Sequence, residues 1–139
     1  MGLVYADIEI TNIEDTILAK NKYLPINKIR RMTTRMMVDS GAIMMAINED
    51  IQAQMGLSVV ERLVVQLADG TPLELDVVGP IKVFFGNRSC TVDALLLPGS
   101  TEPLLGAIPM EYMDLIIDPA MQTLGPHPSR PIRPVLSLK

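Results

Sequence analysis

Between Leu63 and Leu97 the chain carries three turn signals, Asp69-Gly70, Gly79-Pro80 and Gly86-Asn87, and the stretches between them alternate apolar with polar residues. Leu63, Val65 and Leu67 alternate into Asp69-Gly70. Leu73, Leu75 and Val77 alternate with Glu74 and Asp76 on the way out, Ile81, Val83 and Phe85 follow, and Thr91 to Leu97 completes the series. A period of two puts alternate side chains on opposite faces of an extended chain, and Asp-Gly between two such runs specifies a hairpin. The same alternation marks residues 3–11, with Val4, Ala6, Ile8 and Ile10 on one face and Tyr5, Asp7 and Glu9 on the other. A chain punctuated in this way has no room for long helices, so it folds as short strands. With 139 residues, 48% hydrophobic and 20% charged, it has enough material for one domain with a real core, and its composition is not that of a disordered tail.

The remaining stretches complete an all-β reading. Residues 12–27, with Asn21, Pro25 and Asn27, read as a connection. Ile29 to Val38 reads as one or two strands, and Ile43 to Ile47 as another. Asn48 is a good N-cap, Glu49 and Asp50 suit the positive end of a helix dipole, and Ile47, Ile51 and Met55 share a face up to Gly56, so a short helix is expected here. Pro109 at a first helical position and Glu111 behind it predict a second helix near 109–114. Leu115 to Asp118 reads as a strand that turns at Asp118-Pro119. From Gly125 onward, Pro126, Pro128, Pro131 and Pro134 call for an extended tail that cannot lie in a central strand. The expected architecture is a closed or sandwich-like β barrel with one or two short helices.

Inside this pattern one group is out of place. Met36-Met37-Val38 is apolar, Ala42-Ile43-Met44-Met45 is apolar, and between them stand Asp39, Ser40 and Gly41. Burying a lone carboxylate is costly unless it is hydrogen-bonded or shares a proton. Gly41 allows a sharp turn that brings backbone N–H groups to the carboxylate, and the Ser40 hydroxyl can donate or accept a further bond.

The stretch resembles the active-site turn of the aspartic proteases, in which Asp-Thr-Gly or Asp-Ser-Gly follows two apolar residues and precedes Ala. Two later features match the single-domain, retropepsin-like members in the right order. The Asp69-Gly70 hairpin stands where their flap lies, and Leu104-Leu105-Gly106 stands where an apolar-apolar-Gly segment leads into a short helix. The resemblance covers about residues 3–125, is nearest to the bacterial single-domain proteins, and implies an acid-protease-like barrel with one lobe per chain. It divides the chain into a protease-like domain, 1–125, and a proline-rich tail, 126–139.

The resemblance also implies the chemistry. Two facing aspartates share one proton because both cannot ionise at close range; the ionised one activates a water and the other hydrogen-bonds the peptide carbonyl. This chain holds one such turn, so the resemblance implies a homodimer in which Asp39 meets Asp39 of a second copy, and an aspartic endopeptidase acting on polypeptide. Ser40 would brace the two turns and Gly41 would donate to the carboxylate. Ala42 would line the cleft floor, Ala68, Asp69 and Gly70 would form the flap tip, and Thr101, Glu102 and Pro103 would line side-chain pockets. Ile43 and Met44 stand where retroviral members carry acidic residues, which favours larger apolar side chains in the substrate. The alternative is a homodimeric module of the same fold that grips extended peptide without cutting it.

Other classes find little support. The net charge of −4 argues against a nucleic-acid partner. No apolar run reaches bilayer length, and Asp7, Glu9, Glu14 and Asp15 speak against a leader peptide, so no membrane partner is expected. His127 stands alone, so neither a metal site nor a cofactor is expected. Cys90 reads as a small apolar filler, and a single cysteine suits a reducing compartment, hence the cytoplasm. Arg30, Arg31 and Arg35 read as a solvated strand face, and the abundant Met as adaptable core.

Overall fold

The computed structural model describes residues 2–136; residues 137–139 of the expected tail lie outside the described residues. β1 (Val4–Asn12) buries Val4, Ala6, Ile8 and Ile10, as its alternation requires. It runs antiparallel to β2 (Arg31–Val38), in a register that pairs Val4 with Val38 and Thr11 with Arg31. The third strand in the chain, β3 (Met45–Asn48), is wholly buried. A hairpin follows, made of β4 (Ser58–Gln66) and β5 (Pro72–Phe85), and then β6 (Arg88–Leu97) and the two-residue β7 (Leu104–Leu105). The seven pair in the order β1-β2-β7-β3-β6-β5-β4, and a further β1–β5 pairing closes six of them into a ring with β4 outside it. Ile8, Ile10, Met36, Met45, Ile47, Val78, Ile81, Val83 and Leu105 fill the interior. A small separate sheet joins β8 (Leu115–Asp118) to β9 (Thr123–Pro126). Among the described residues no helix is long and apolar enough to cross a membrane.

The strand-rich architecture is as the alternation demands, and several local expectations are corrected. Residues 12–27 are not plain connection: α1 spans Ile13–Lys20 and a 3-10 turn spans Ile26–Lys28. Asn12 starts α1, accepting from Asp15 N at 3.1 Å while its own Nδ2 donates to Met55 O at 2.9 Å. Because Ile17 and Leu18 are exposed, α1 shows no apolar stripe, and stability comes from its cap and its anchor instead. The helix after Asn48 is as expected: α2 (Glu49–Met55) is capped by the Asn48 side chain and ends at Gly56, which sits in the left-handed region at φ 57°. The helix expected at 109–114 begins earlier. α3 is Ala107–Met113, with Gly106 as its N-cap residue and Pro109 its third residue. Three α-helices are therefore described rather than one or two.

Gly79-Pro80 does not turn the chain. β5 runs straight through it, and two residues of β5 face Asp93 alone between the pairs Val78–Ala94 and Ile81–Val92, which is a β-bulge. The tail is not wholly free of pairing either, since Gly125 and Pro126 end β9 at a sheet edge, a position open to proline.

Two ion pairs tie loops to the body. Arg30 is not a solvated face residue: its Nε and Nη2 donate to the two oxygens of Asp15 at 2.9 and 3.0 Å, and its backbone N–H adds a third bond at 2.9 Å. Arg130 makes the equivalent fork on Asp114. In each case hydrogen bonds from the arginine hold the carboxyl below the ordinary value of 3.8. A carboxyl whose folded pKa is depressed contributes stability that is present above the unfolded pKa and lost as pH falls through the folded one. Urea unfolding is therefore expected to show stability falling once the pH drops below about 4. Asp15→Asn and Asp114→Asn should be less stable at neutral pH and lose less on acidification. Equal acid losses in wild type and both variants would contradict the assignment.

Candidate active site

Asp39 stands where β2 runs out of partners. Its backbone N–H donates to Leu105 O at 3.0 Å, and two residues earlier Met37 N–H donates to Pro103 O at 3.0 Å. The segment 103–105 thus pins the end of β2 from the side. Beyond Asp39 the chain reverses, with Ala42 N–H donating to Asp39 O at 3.1 Å. Gly41 N–H then points back at the carboxylate, giving a 2.9 Å bond to Asp39 Oδ1. A Cβ on Gly41 would stand 3.2 Å from that oxygen, so glycine keeps the approach close. The far side of the turn is held as firmly: Ala107 N–H donates to Ala42 O at 2.7 Å and Ile108 N–H to Ile43 O at 2.9 Å. Gly106 is what lets these segments meet, because a Cβ there would lie 2.3 Å from Met44 O and 2.7 Å from Ala42 O.

The outcome is a carboxylate fixed by its backbone at both ends and half-buried, flanked by exposed Ser40 and Gly41. A group in this position can accept or release a proton at the surface while its orientation stays set. Ser40 also lines a groove of about 440 Å³ with Ala107, Met110, Glu111 and the residues of β8 from Leu115 to Ile117. Ala42 is half-buried beside the turn, Met44 likewise, and Ile43 is 70% exposed.

The hairpin expected at Asp69-Gly70 is present. Leu67 N–H donates to Thr71 O and Gly70 N–H to Leu67 O, both at 2.9 Å, and Gly70 takes the left-handed φ of 86°. Ala68, Asp69 and Gly70 form its exposed tip. The Asp69 carboxylate is engaged in its own turn through Thr71 N–H at 2.9 Å, a bond that lowers its pKa. Ser58 to Arg62 of β4 are all exposed, so the hairpin stands away from the core.

Thr101, Glu102 and Pro103 have different partners, with Glu102 and Pro103 lining one groove beside Tyr5 and Arg35. Thr101 braces its own loop: its hydroxyl donates to Pro98 O and its carbonyl accepts from Asn48 Nδ2 at 2.8 Å. Pro103 supplies the carbonyl that pins Met37. Glu102 faces Tyr5, whose hydroxyl it holds above its ordinary pKa by hydrogen bonding. The Arg35 guanidinium lies 4.4 Å from the centroid of the same ring, so Arg35 belongs to a cluster with Tyr5 and Glu102. The sequence reading missed that cluster, since Tyr5 and Arg35 sit diagonally across the β1–β2 ladder, where Arg35 is paired with Asp7. It also missed that Asn48, expected as the cap of α2, holds the 98–103 loop as well.

No protein-family model matches the chain, and no curated protein matches it in sequence. Among solved structures it is similar to the crystal structure of the retroviral protease-like domain of Ddi1 from Leishmania major. The two share 14% identity over 92% of this chain and 90% of that one, with a TM-score of 0.56. At that identity the likeness is one of fold, and the fold is retropepsin-like.

Proposed function

We propose that the chain is one half of a homodimeric aspartic endopeptidase, with Asp39 from each copy meeting across a two-fold axis. The observation that carries this reading is the Asp39 turn, clamped by Leu105 O and Ala42 O yet leaving the carboxylate half-exposed and oriented by Gly41 N–H. The retropepsin-like fold supports it. One carboxylate cannot at once accept a proton from water and hydrogen-bond the peptide carbonyl; a second copy supplies the partner.

In the proposed dimer the two carboxyls share one proton, because two negative charges about 3 Å apart do not both persist. The ionised member takes a proton from the attacking water while the protonated one donates to the carbonyl oxygen, giving a gem-diol. Proton return to the amine nitrogen then breaks the C–N bond. The titration belongs to the pair. Ser40 braces the two turns, Ala42 lines the floor, and the Ala68–Gly70 tip closes over an extended peptide that adds to the sheet as a strand. Exposed Ile43 and half-buried Met44 favour large apolar side chains. Cys90, buried and with its thiol pushed up to about 11 by desolvation, is an inert free thiol, in keeping with a cytoplasmic setting.

The test is digestion of an unstructured polypeptide such as casein between about pH 4 and 6, where a shared-proton dyad is half-ionised. Cleavage is expected to be blocked by pepstatin and to follow the fraction of dimer as the protein is diluted. Peptide binding with no cleavage across that range would replace this reading with a non-hydrolytic peptide-binding dimer.

A further inference from the structure

The excursion between β1 and β2 carries a charge unlike that of the rest of the chain. From Thr16 to Val38 stand six of the twelve Lys and Arg residues and none of the sixteen Asp and Glu. The remainder of this net-acidic chain is therefore more acidic still, and such an asymmetry points to an anionic partner for the basic part. Arg30 is committed to Asp15, and Arg35 stacks on Tyr5. Lys20, Lys22, Lys28 and Arg31 are exposed, and among the described residues none of the four has a salt-bridge partner.

The same excursion leaves large apolar side chains in water. Tyr23 is 81% and Ile26 75% exposed, and Ile17 and Leu18 are exposed as well. Backbone bonds bring these residues together. Tyr23 N–H donates to Leu18 O at 2.8 Å and Asn21 N–H to Ile17 O at 3.0 Å, so the turn folds back on the end of α1. α1 also touches the 3-10 turn that starts at Ile26. The base is closed by Asn12 N–H donating to Arg30 O at 2.9 Å and by the Arg30 fork on Asp15. Apolar groups and unpaired cations are thus held on one small, fastened unit.

Charge and hydropathy together select the occupant. Duplex nucleic acid would match the cations and leave Tyr23 and Ile26 unserved. A standard protein interface takes about 20–30 residues a side, more than residues 13–31 supply. An anionic bilayer asks for no shape match: its headgroups meet the lysines, and the boundary beneath them takes apolar groups, with Tyr well suited to that layer. The absence, among the described residues, of a helix long and apolar enough to cross a membrane bears on spanning, not on docking. Val4 pairs with Val38 next to Asp39, whereas Thr11 pairs with Arg31 at the other end of the ladder, roughly 23 Å away at strand spacing. Docking through the excursion therefore leaves the Asp39 turn clear of the bilayer.

We propose that residues 13–31 dock the protein reversibly on an anionic lipid surface. Tyr23 and Ile26 enter the headgroup layer, and Lys20, Lys22, Lys28 and Arg31 meet the lipid charge. The proposal is independent of the peptidase reading.

The test is co-sedimentation of the full chain with phosphatidylcholine vesicles, plain or with about one lipid in three replaced by phosphatidylserine. Wild type is expected to pellet with the anionic vesicles only, and less as salt is raised. Lys20→Glu/Lys22→Glu/Lys28→Glu should weaken binding at least about 100-fold, and Tyr23→Ser/Ile26→Ser at least about tenfold. Melting temperatures should stay near wild type, because the replaced side chains are exposed. Arg133→Glu, which alters an exposed cation outside the excursion, should change binding little and so exclude a simple effect of net charge. Wild type that stays in solution with anionic vesicles overturns the proposal, as does binding that either multiple variant retains in full. Wild type that ignores vesicles and captures an acidic polypeptide or duplex DNA overturns it too, and assigns the surface to that partner. Peptide hydrolysis without vesicles should be the same in wild type and these variants, so this proposal and the peptidase reading can fail separately.

Discussion

Asp39→Asn is expected to lower peptide hydrolysis by at least about 10³-fold while leaving the fold intact. The amide has the size of the carboxyl, and its Oδ1 can still accept from Gly41 N–H, which in the native turn makes a 2.9 Å bond. The turn, the Asp39 N–H bond to Leu105 O and the fold around them should therefore survive. What is lost is the acid–base couple: an amide cannot take a proton from water. The variant should still bind an extended peptide, and its thermal midpoint should match or exceed that of wild type, since in the proposed dimer two facing carboxyls would no longer compete for one proton. The check is a matched assay of hydrolysis, peptide binding and melting. Hydrolysis that survives the substitution would falsify the role given to Asp39.

Gly106→Ala is expected to be the most damaging single methyl in the molecule. The obstacles are two backbone carbonyls, Met44 O at 2.3 Å and Ala42 O at 2.7 Å from the added carbon, and neither can swing aside as a side chain would. Relief requires moving the 104–107 segment off the Asp39 turn, which breaks the Ala107 N–H bond to Ala42 O and strains that of Asp39 N–H to Leu105 O. The expected cost is about 3 kcal/mol or more, with a melting temperature lowered by about 10 °C. Activity should fall further than the folded fraction, because the Asp39 turn loses its clamp. The comparison to make is Gly125→Ala, where the new carbon meets nothing within 4 Å and little change is expected. Similar melting of the two variants would show that the close packing is not holding the turn.

The strands were legible because their signals are local. Alternation in residues 3–11 assigns the buried face of β1 residue by residue, and Asp69-Gly70 marks a hairpin without reference to the rest of the chain. α2 was legible for the same reason, since Asn48 and Gly56 are caps that act within one turn. Missed features depend on partners distant in sequence. α1 is held by Asn12 reaching Met55 and by Asp15 reaching Arg30, and neither pairing leaves a periodic trace. Gly79-Pro80 has the composition of a turn, yet pairing on both sides of it keeps β5 running through as a bulge. At the site, Asp39, Ser40 and Gly41 could be read as a unit because the turn is contiguous. The Tyr5–Arg35–Glu102 cluster and the Arg130 fork on Asp114 join residues from separate strands and loops, so only folding reveals them.

The unbroken run of β5 sets how the hairpin can move. From Val77 inward the strand is gripped on two flanks, by β4 and β6 at Val77 and Val78 and by β1 and β6 from Ile81 to Phe84. Outward, from Pro72 to Asp76, it has β4 alone, and there Arg62 reaches across to Glu74 and Asp76 at 3.5 and 3.0 Å. The outer hairpin is therefore joined to the body only through the strands at Val77, with Arg62 linking its two strands near that root. Under the proposed peptidase reading, a swing of the tip would be levered about that point, leaving the strands of the ring in place.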